Sequence, residues 1–366
     1  MNVAFTELRR RPGRFAPAAI ALVLLTMLLL VLTGLLDGLY DGQTGAYRSQ
    51  PGQLLTFSGT ANLNLNRSTL DPSTIAQVAA VPGVEQVGGI GVTLLPATVP
   101  GRTDLASVAL FGYQLGSNRL PDPPTTKGQA YADRSLERSG VKVGQTLGLG
   151  SGEYPVTVVG WVDDTDYSLQ GSLWASAETW REATASARPD AVRAAGSFAA
   201  LTVIVSPGSS VPDVAAAIDA ATAGATETVT RARAISALGG VDQQNATFTA
   251  IIGVTFFVTA LVVALFFALL TLERSGMFGV FKALGASSGQ IFRGVVSQAL
   301  VVAVLAFVVG GLLAVAASRA VPAEVPLAFS GARAAEVLVG LLAMSAIGAA
   351  ISLRRVIRID PASAIG

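Results

Sequence analysis

Few residues in this chain are equipped for catalysis. Lysine occurs only as Lys127, Lys142 and Lys282, and none of them follows a glycine. A P-loop grips phosphate with Gly-Lys ahead of Ser or Thr, so the chain carries no Walker A motif of its own. Histidine and cysteine are absent. That removes the commonest general base and metal ligand, every Ser–His–Asp triad, thiol nucleophiles, thiolate metal sites and disulfides. Gly285-Ala286-Ser287-Ser288-Gly289 fits a G-x-S-x-G pattern, but a nucleophile elbow needs a histidine partner, and the match is accidental. Gly148-Leu149-Gly150-Ser151-Gly152 is loosely like a nucleotide loop; it precedes a strand rather than a helix and reads as a hairpin turn. Asp163, Asp164 and Asp166 offer calcium-type oxygen ligands but lack the full loop spacing and terminal Glu, so they read as a solvated turn after a strand. Trp161, Trp174 and Trp180 read as core and edge packing rather than a ligand cage. The expectation is a protein that is not itself an enzyme and holds no metal or cofactor.

The elements behind this inventory are apolar. Hydrophobic residues make up 51% and charged residues 13% of the 366 residues, against about 25% charged in a soluble domain. Mean hydropathy is +0.56. A net charge of +1 leaves no dominant polyanion-binding patch, so nucleic acid is not an expected partner. A spanning helix needs about 20 apolar residues. The charge-free stretches Ala16–Leu36, Gln243–Leu272, Gly294–Ser318 and Val337–Leu353 meet or approach that length. The first follows Arg9, Arg10, Arg11 and Arg14, like a signal peptide. It exceeds a signal h-region, no small-x-small cleavage site follows it, and it reads as a retained helix.

Basic residues set the direction. They gather in the N-terminal segment, in 273–293 (Arg274, Lys282, Arg293) and in the tail (Arg354, Arg355, Arg358), which four spans place on one side. Both termini are therefore expected in the cytoplasm, with residues 41–247 outside the plasma membrane. No charge sits at a span centre, which argues against an ion-coupled pump. Gly310, Gly311, Gly340, Ser345, Gly348 and Ala349 allow close helix packing, within the chain or at a dimer seam. Ala4, Phe5 and Leu8 share one helical face ahead of the arginines, which suits an amphipathic helix on the inner leaflet, each basic residue adding about 1 kcal/mol.

The expected domain order is 1–14 amphipathic helix, 15–40 first span and stalk, 41–247 outer α+β domain, 248–272 second span and 273–293 cytoplasmic loop. Then follow 294–318 third span, 319–333 short outer loop, 334–353 fourth span and 354–366 tail. In the outer domain, Asp71-Pro72 opens a helix that Pro82-Gly83 stops, and Val84–Val99 reads as extended. A similar helix–strand order recurs over Val211–Val229, hinting at two related halves. Ser107–Gln114, Pro155–Val162 and Leu201–Ser206 read as strands, and 122–177 as mostly β.

The cytoplasmic loop is unusual for its apolar content. Phe278, Phe281 and Leu284 recur at helical spacing, Val280 joins Leu284 four residues on, and Gly285 stands where a helix would end. Such a face lies either on the lipid interface or in a groove of a partner protein.

Gly279-Val280-Phe281-Lys282-Ala283-Leu284-Gly285-Ala286-Ser287 resembles the G-[IV]-x-[RK]-A-x-G-A-[ST] signature of FtsX/MacB-like permeases, the type VII ABC transporters. The tail Arg354-Arg355 … Asp360-Pro361-Ala362 resembles that family's basic exit and closing D-P-A. Residues 133–180, around Val143-Gly144-Gln145-Thr146-Leu147 and Pro155–Gly160, resemble its periplasmic core. The family's usual acidic residue two places before the loop glycine is replaced by Met277, so the resemblance does not carry over the usual ion pair to the ATPase.

The resemblance implies a homodimeric permease working with two copies of a separate ABC ATPase subunit, which binds the ATP. It further implies mechanotransmission to the outer domain, contact with membrane lipid and scope for an extracytoplasmic accessory protein. Phe278, Val280, Phe281, Lys282, Leu284 and Arg274 would form the ATPase-coupling surface. The layout looks closest to the DevC and haem-exporter (HrtB-like) branch. With no histidine or cysteine, haem would need Met, Tyr or carboxylate ligands, or simple apolar capture. Two readings stand: export of a hydrophobic or amphipathic molecule such as haem, drug, peptide or lipid, and a subunit that activates an outer enzyme or extracts lipoproteins. A membrane-anchored binding protein without an ATPase is disfavoured by the Gly279–Ser287 run.

Overall fold

The computed structural model describes residues 13, 16–117, 119–191, 194–273, 276, 280, 285, 287–321 and 325–356. The chain divides into two compact units, residues 1–38 with 245–366, and residues 39–244.

The first unit is built on long apolar helices: α1 (Ala16–Arg48, entering the second unit at its end), α6 (Val241–Glu273), α7 (Ser288–Ser318) and α8 (Gly331–Val356). All four are long and apolar enough to cross a membrane. Threonine hydroxyls of α6 are satisfied within the helix, as bilayer interiors demand: Thr255 donates to the Ile251 carbonyl and Thr259 to the Thr255 carbonyl, each at 2.8 Å. On α6, Phe257, Leu261, Leu265 and Leu269 recur every four residues and stay exposed, a stripe suited to lipid tails.

The small residues noted in the sequence serve contacts inside the chain. A Cβ on Gly310 of α7 would lie 2.8 Å from the Val23 carbonyl oxygen of α1. One on Gly348 of α8 would lie 2.5 Å from the Ala260 carbonyl oxygen of α6, and one on Gly340 would meet the Phe256 ring at 2.6 Å. Small residues let these helix backbones touch, and dispersion over the shared surface holds the bundle in a medium that gives no hydrophobic drive.

Between α7 and α8 the chain folds back over α1. Ala328 N–H donates to the Gly34 carbonyl at 3.0 Å. Gly38, one turn on, sits so close to Pro326 that a Cβ would overlap its carbonyl oxygen at 2.0 Å. Arg333 ties the segment down with hydrogen bonds of 3.0 and 3.1 Å to Asp37 and 2.9 Å to Glu336.

The second unit is α+β. Its strands are β1 (Leu54–Ser58), β2 (Val84–Thr98), β3 (Ala106–Tyr113), β4 (Gln129–Asp133), β5 (Thr146–Leu149), β6 (Tyr154–Val162), β7 (Gly171–Ser176), β8 (Ala200–Val205) and β9 (Thr226–Thr230). The 15-residue β2 organises the sheet. One edge pairs with β3 over Ile90–Ala97; the other pairs with β8 over Val84–Ile90 and then with β5 at Ala97 and Thr98. The circuit β2-β3-β7-β4-β6-β5 thereby closes on itself, while β8, β1 and β9 extend the sheet from the start of β2. Pairs β3–β7 and β4–β6 are parallel and the rest antiparallel.

Helices α2 (Pro72–Ala79) and α4 (Val211–Ala221) each precede a strand, the recurrence visible in the sequence, and the short α5 (Arg231–Ser236) follows β9. Val78 of one, and Val214 and Ile218 of the other, share a core with Leu54, Leu201 and Val203. Trp174 and Trp180 are fully buried and Trp161 half-buried, as expected of packing residues. Trp174 stacks on Phe111 at 4.2 Å between centroids, and Trp180, on α3 (Ala177–Ala187), stacks on Phe198 at 6.2 Å. Offset ring stacking of this kind adds about 0.5–1.5 kcal/mol beyond area burial.

Candidate functional site

The loop expected to couple to a partner lies between the end of α6 at Glu273 and the start of α7 at Ser288. Val280 is helical and 59% exposed, an apolar side chain with no cover in the isolated chain. Gly285 has φ +91°, the left-handed value that ends helices and that glycine adopts without strain. Ser287 then opens α7 through a capping box: its hydroxyl accepts from Gln290 N–H, and the Gln290 side chain accepts from Ser287 N–H at 3.0 Å. Ser287 is thus a helix cap, which is the structural use of the G-x-S-x-G run. Arg274, Phe278, Phe281, Lys282 and Leu284 lie outside the described residues, as does the closing Asp360-Pro361-Ala362.

In the second unit the acidic turn after β6 is a hub of ion pairs. Asp163 pairs with Arg134 at 2.8 Å. Asp164, at φ +60°, receives both ends of the Arg48 guanidinium at 2.6 and 2.5 Å, and also pairs with Arg119. Asp133, buried at the end of β4, accepts from Ser135 N–H at 2.8 Å and from Thr165 N–H and Oγ1 at 2.8 and 2.7 Å. Asp166 accepts from the Ser135 hydroxyl at 2.6 Å. Burial first, and the neighbouring Asp133 carboxylate second, push the Asp166 carboxyl up to about 7. A cavity of about 550 Å³ opens here, lined by Asp133, Ser135, Asp164 and Asp166, with Arg134 and Arg138 on its wall.

Among the described residues, no group of three or more acidic side chains converges to hold a metal ion. The arginines already occupy the outer oxygens. Sequence reading missed Arg48, Asp133 and Asp164 as partners, because no spacing rule links residues 116 positions apart. For Gly34 and Gly38 a signal existed, the G-x-x-x-G spacing, though its occupant is a loop rather than a helix.

Four spanning helices with a long α+β domain inserted after the first define a multi-pass membrane protein of the permease kind. Residues 16–221 match the MacB-like periplasmic core domain and residues 249–361 the FtsX-like permease C-terminal domain. The chain belongs to the FtsX/MacB-type ABC transporter permeases. An ABC transporter permease of Mycobacterium tuberculosis is 28% identical over 99% of this chain and 98% of its own length. The hemin transport system permease protein HrtB of Staphylococcus epidermidis is 24% identical over 30% of this chain and 32% of its own. The periplasmic region of MacB from Actinobacillus actinomycetemcomitans aligns at 13% identity over 51% of this chain and 92% of its own, with a TM-score of 0.37. As a permease subunit the chain is not itself catalytic.

Proposed function

We propose that this permease is driven by two copies of a separate ABC ATPase subunit docked on the loop 273–293, and that a homodimer of the chain exports or extracts a hydrophobic or amphipathic molecule. The observation that carries the reading is the pairing of an ABC permease architecture with a chain whose lysines cannot form a Walker A motif. ATP must then be bound elsewhere. Exposed Val280 at the centre of the loop supports a partner groove. The partial likeness to a hemin transport permease favours an apolar cargo.

The test is ATP turnover. The purified chain in lipid nanodiscs should hydrolyse no ATP, and adding its ATPase subunit should produce turnover that rises with cargo. Hydrolysis by the chain alone contradicts the reading.

The proposal includes direction, with the termini in the cytoplasm and the inserted domain outside, as the basic flanks dictate. The cysteine-free sequence makes single-cysteine labelling clean. In intact cells a thiol reagent that cannot cross the membrane should label Ser151→Cys and spare Arg14→Cys. Labelling of position 151 only after lysis would reverse the topology.

A further inference from the structure

The buried Asp133 and half-buried Asp166 carboxylates flank Ser135 at the point where α1 ends, and their geometry has a use that neither transport nor ATPase docking requires. Helix α1 runs unbroken from Ala16 to Arg48. Its last turns, within the second unit, are held by the loop 163–170. Ala46 N–H donates to the Asp166 carbonyl at 3.0 Å, and Leu169 N–H donates to the Gly42 carbonyl at 2.8 Å. Arg48 grips Asp164 with two hydrogen bonds and pairs with Asp41 at 2.9 Å. The backbones are in direct contact: a Cβ on Gly45 would lie 2.7 Å from Asp166 N. Whatever moves Asp166 therefore moves the hold on α1.

We propose that the Asp133–Asp166 carboxylate pair is a proton-sensitive latch on the end of α1, closed while Asp166 carries a proton and loosened when both carboxylates are charged. Asp133 is the anchored member, held by hydrogen bonds from Ser135 N–H and from Thr165 N–H and Oγ1. Two like charges in this half-buried site repel, and the loop between them and α1 is the part free to yield.

The surrounding charges do not cancel that repulsion. From the 3₁₀ turn Arg134–Ser139, Arg134 is taken by Asp163, Arg138 favours the charged form of Asp166, and Glu137 opposes it. From the loop, Asp164 is engaged by Arg48 and Arg119. From α1, Asp41 lines the same cavity and is paired with Arg48. Arg138 and the Ser135 hydroxyl pull one way, and burial with Asp133 outweighs them.

The sign follows from linkage. The folded Asp166 holds its proton up to about pH 7, whereas a released aspartate loses it near its ordinary value of 3.8. The closed latch thus binds more protons than the open one between those limits. It is firmest in acid and weakens as pH rises through 7, levelling off above. From pH 6 to pH 8 the opening equilibrium should rise about tenfold.

The inference is independent of cargo and ATPase, and its test needs neither. Hydrogen–deuterium exchange of the full chain in nanodiscs would follow peptides covering 42–48 and 163–170 from pH 6 to pH 8, corrected for intrinsic exchange. In the native chain their protection should fall about tenfold, while a peptide across β8 (200–205) stays constant. Asp166→Asn mimics the protonated side chain and should abolish the pH dependence. Asp133→Asn removes the neighbouring charge and should move the break to lower pH. Protection of the native latch that does not change with pH, or a fall that persists in Asp166→Asn, overturns the proposal.

Discussion

Gly348→Leu combined with Gly310→Leu is expected to leave no folded, monodisperse protein. Each glycine sits where two helix backbones touch. The first β carbon at position 348 would already stand 2.5 Å from the Ala260 carbonyl oxygen, and at position 310 it would stand 2.8 Å from that of Val23. A carbonyl of a neighbouring helix cannot rotate away as a side-chain tip can, so the helices must separate. Overpacking costs about 1–3 kcal/mol even where side chains can give way, and these sites belong at or above the upper end. Two such losses approach the whole margin of about 5–15 kcal/mol that holds a protein folded. Gly253→Leu on α6 is the control, because a Cβ there meets nothing within 4 Å. Size-exclusion profiles and thermal unfolding in detergent should show the control near the native chain, each single variant clearly destabilised, and the double variant aggregated. A double variant as stable as the control would mean these contacts do not hold the bundle.

The same packing shows what the sequence made legible and what it did not. The α+β class of the inserted domain and the four spanning helices could be read because each rests on a local pattern: long apolar runs, a Pro-Gly stop after Val81, and strand-length stretches between turns. The helix–strand recurrence was visible for the same reason, since α2 and α4 each complete their motif within about twenty residues. The closed strand circuit was not. It depends on β2 pairing on both edges and on parallel partners distant in the chain, and alternation alone does not choose partners.

The glycines could be picked out as small residues, but which helix each would touch came only from the packing. The ion-pair hub was the least accessible. Asp163, Asp164 and Asp166 stood out as a cluster, yet their chemistry is decided by Arg134, Arg48, Arg119 and Ser135, brought in from elsewhere by the fold. A solvated turn was expected. The turn is instead ion-paired and partly buried, because the end of α1 packs against it.

Replacing Phe281 and Leu284 together by alanine is expected to separate the permease from its ATPase. The sequence from Val280 to Leu284 offers apolar residues at helical spacing ahead of Gly285, whose φ of +91° suits a helix end. An apolar segment of that pattern is the kind of element expected to fill a groove. Removing a buried anchor costs about 1–4 kcal/mol, whereas a rim charge such as Lys282 contributes little. Losing two anchors should weaken docking by about a hundredfold or more. Neither substitution touches a spanning helix, so membrane insertion should be unchanged. The decisive measurement is a pull-down of the ATPase subunit on the tagged, membrane-inserted permease, with ATP turnover read from the same sample. The native chain and Lys282→Ala should retain the ATPase and its turnover, and the Phe281→Ala, Leu284→Ala chain should lose both. Full retention and full turnover in that double variant would place these side chains in lipid and contradict the docking of the ATPase on this loop.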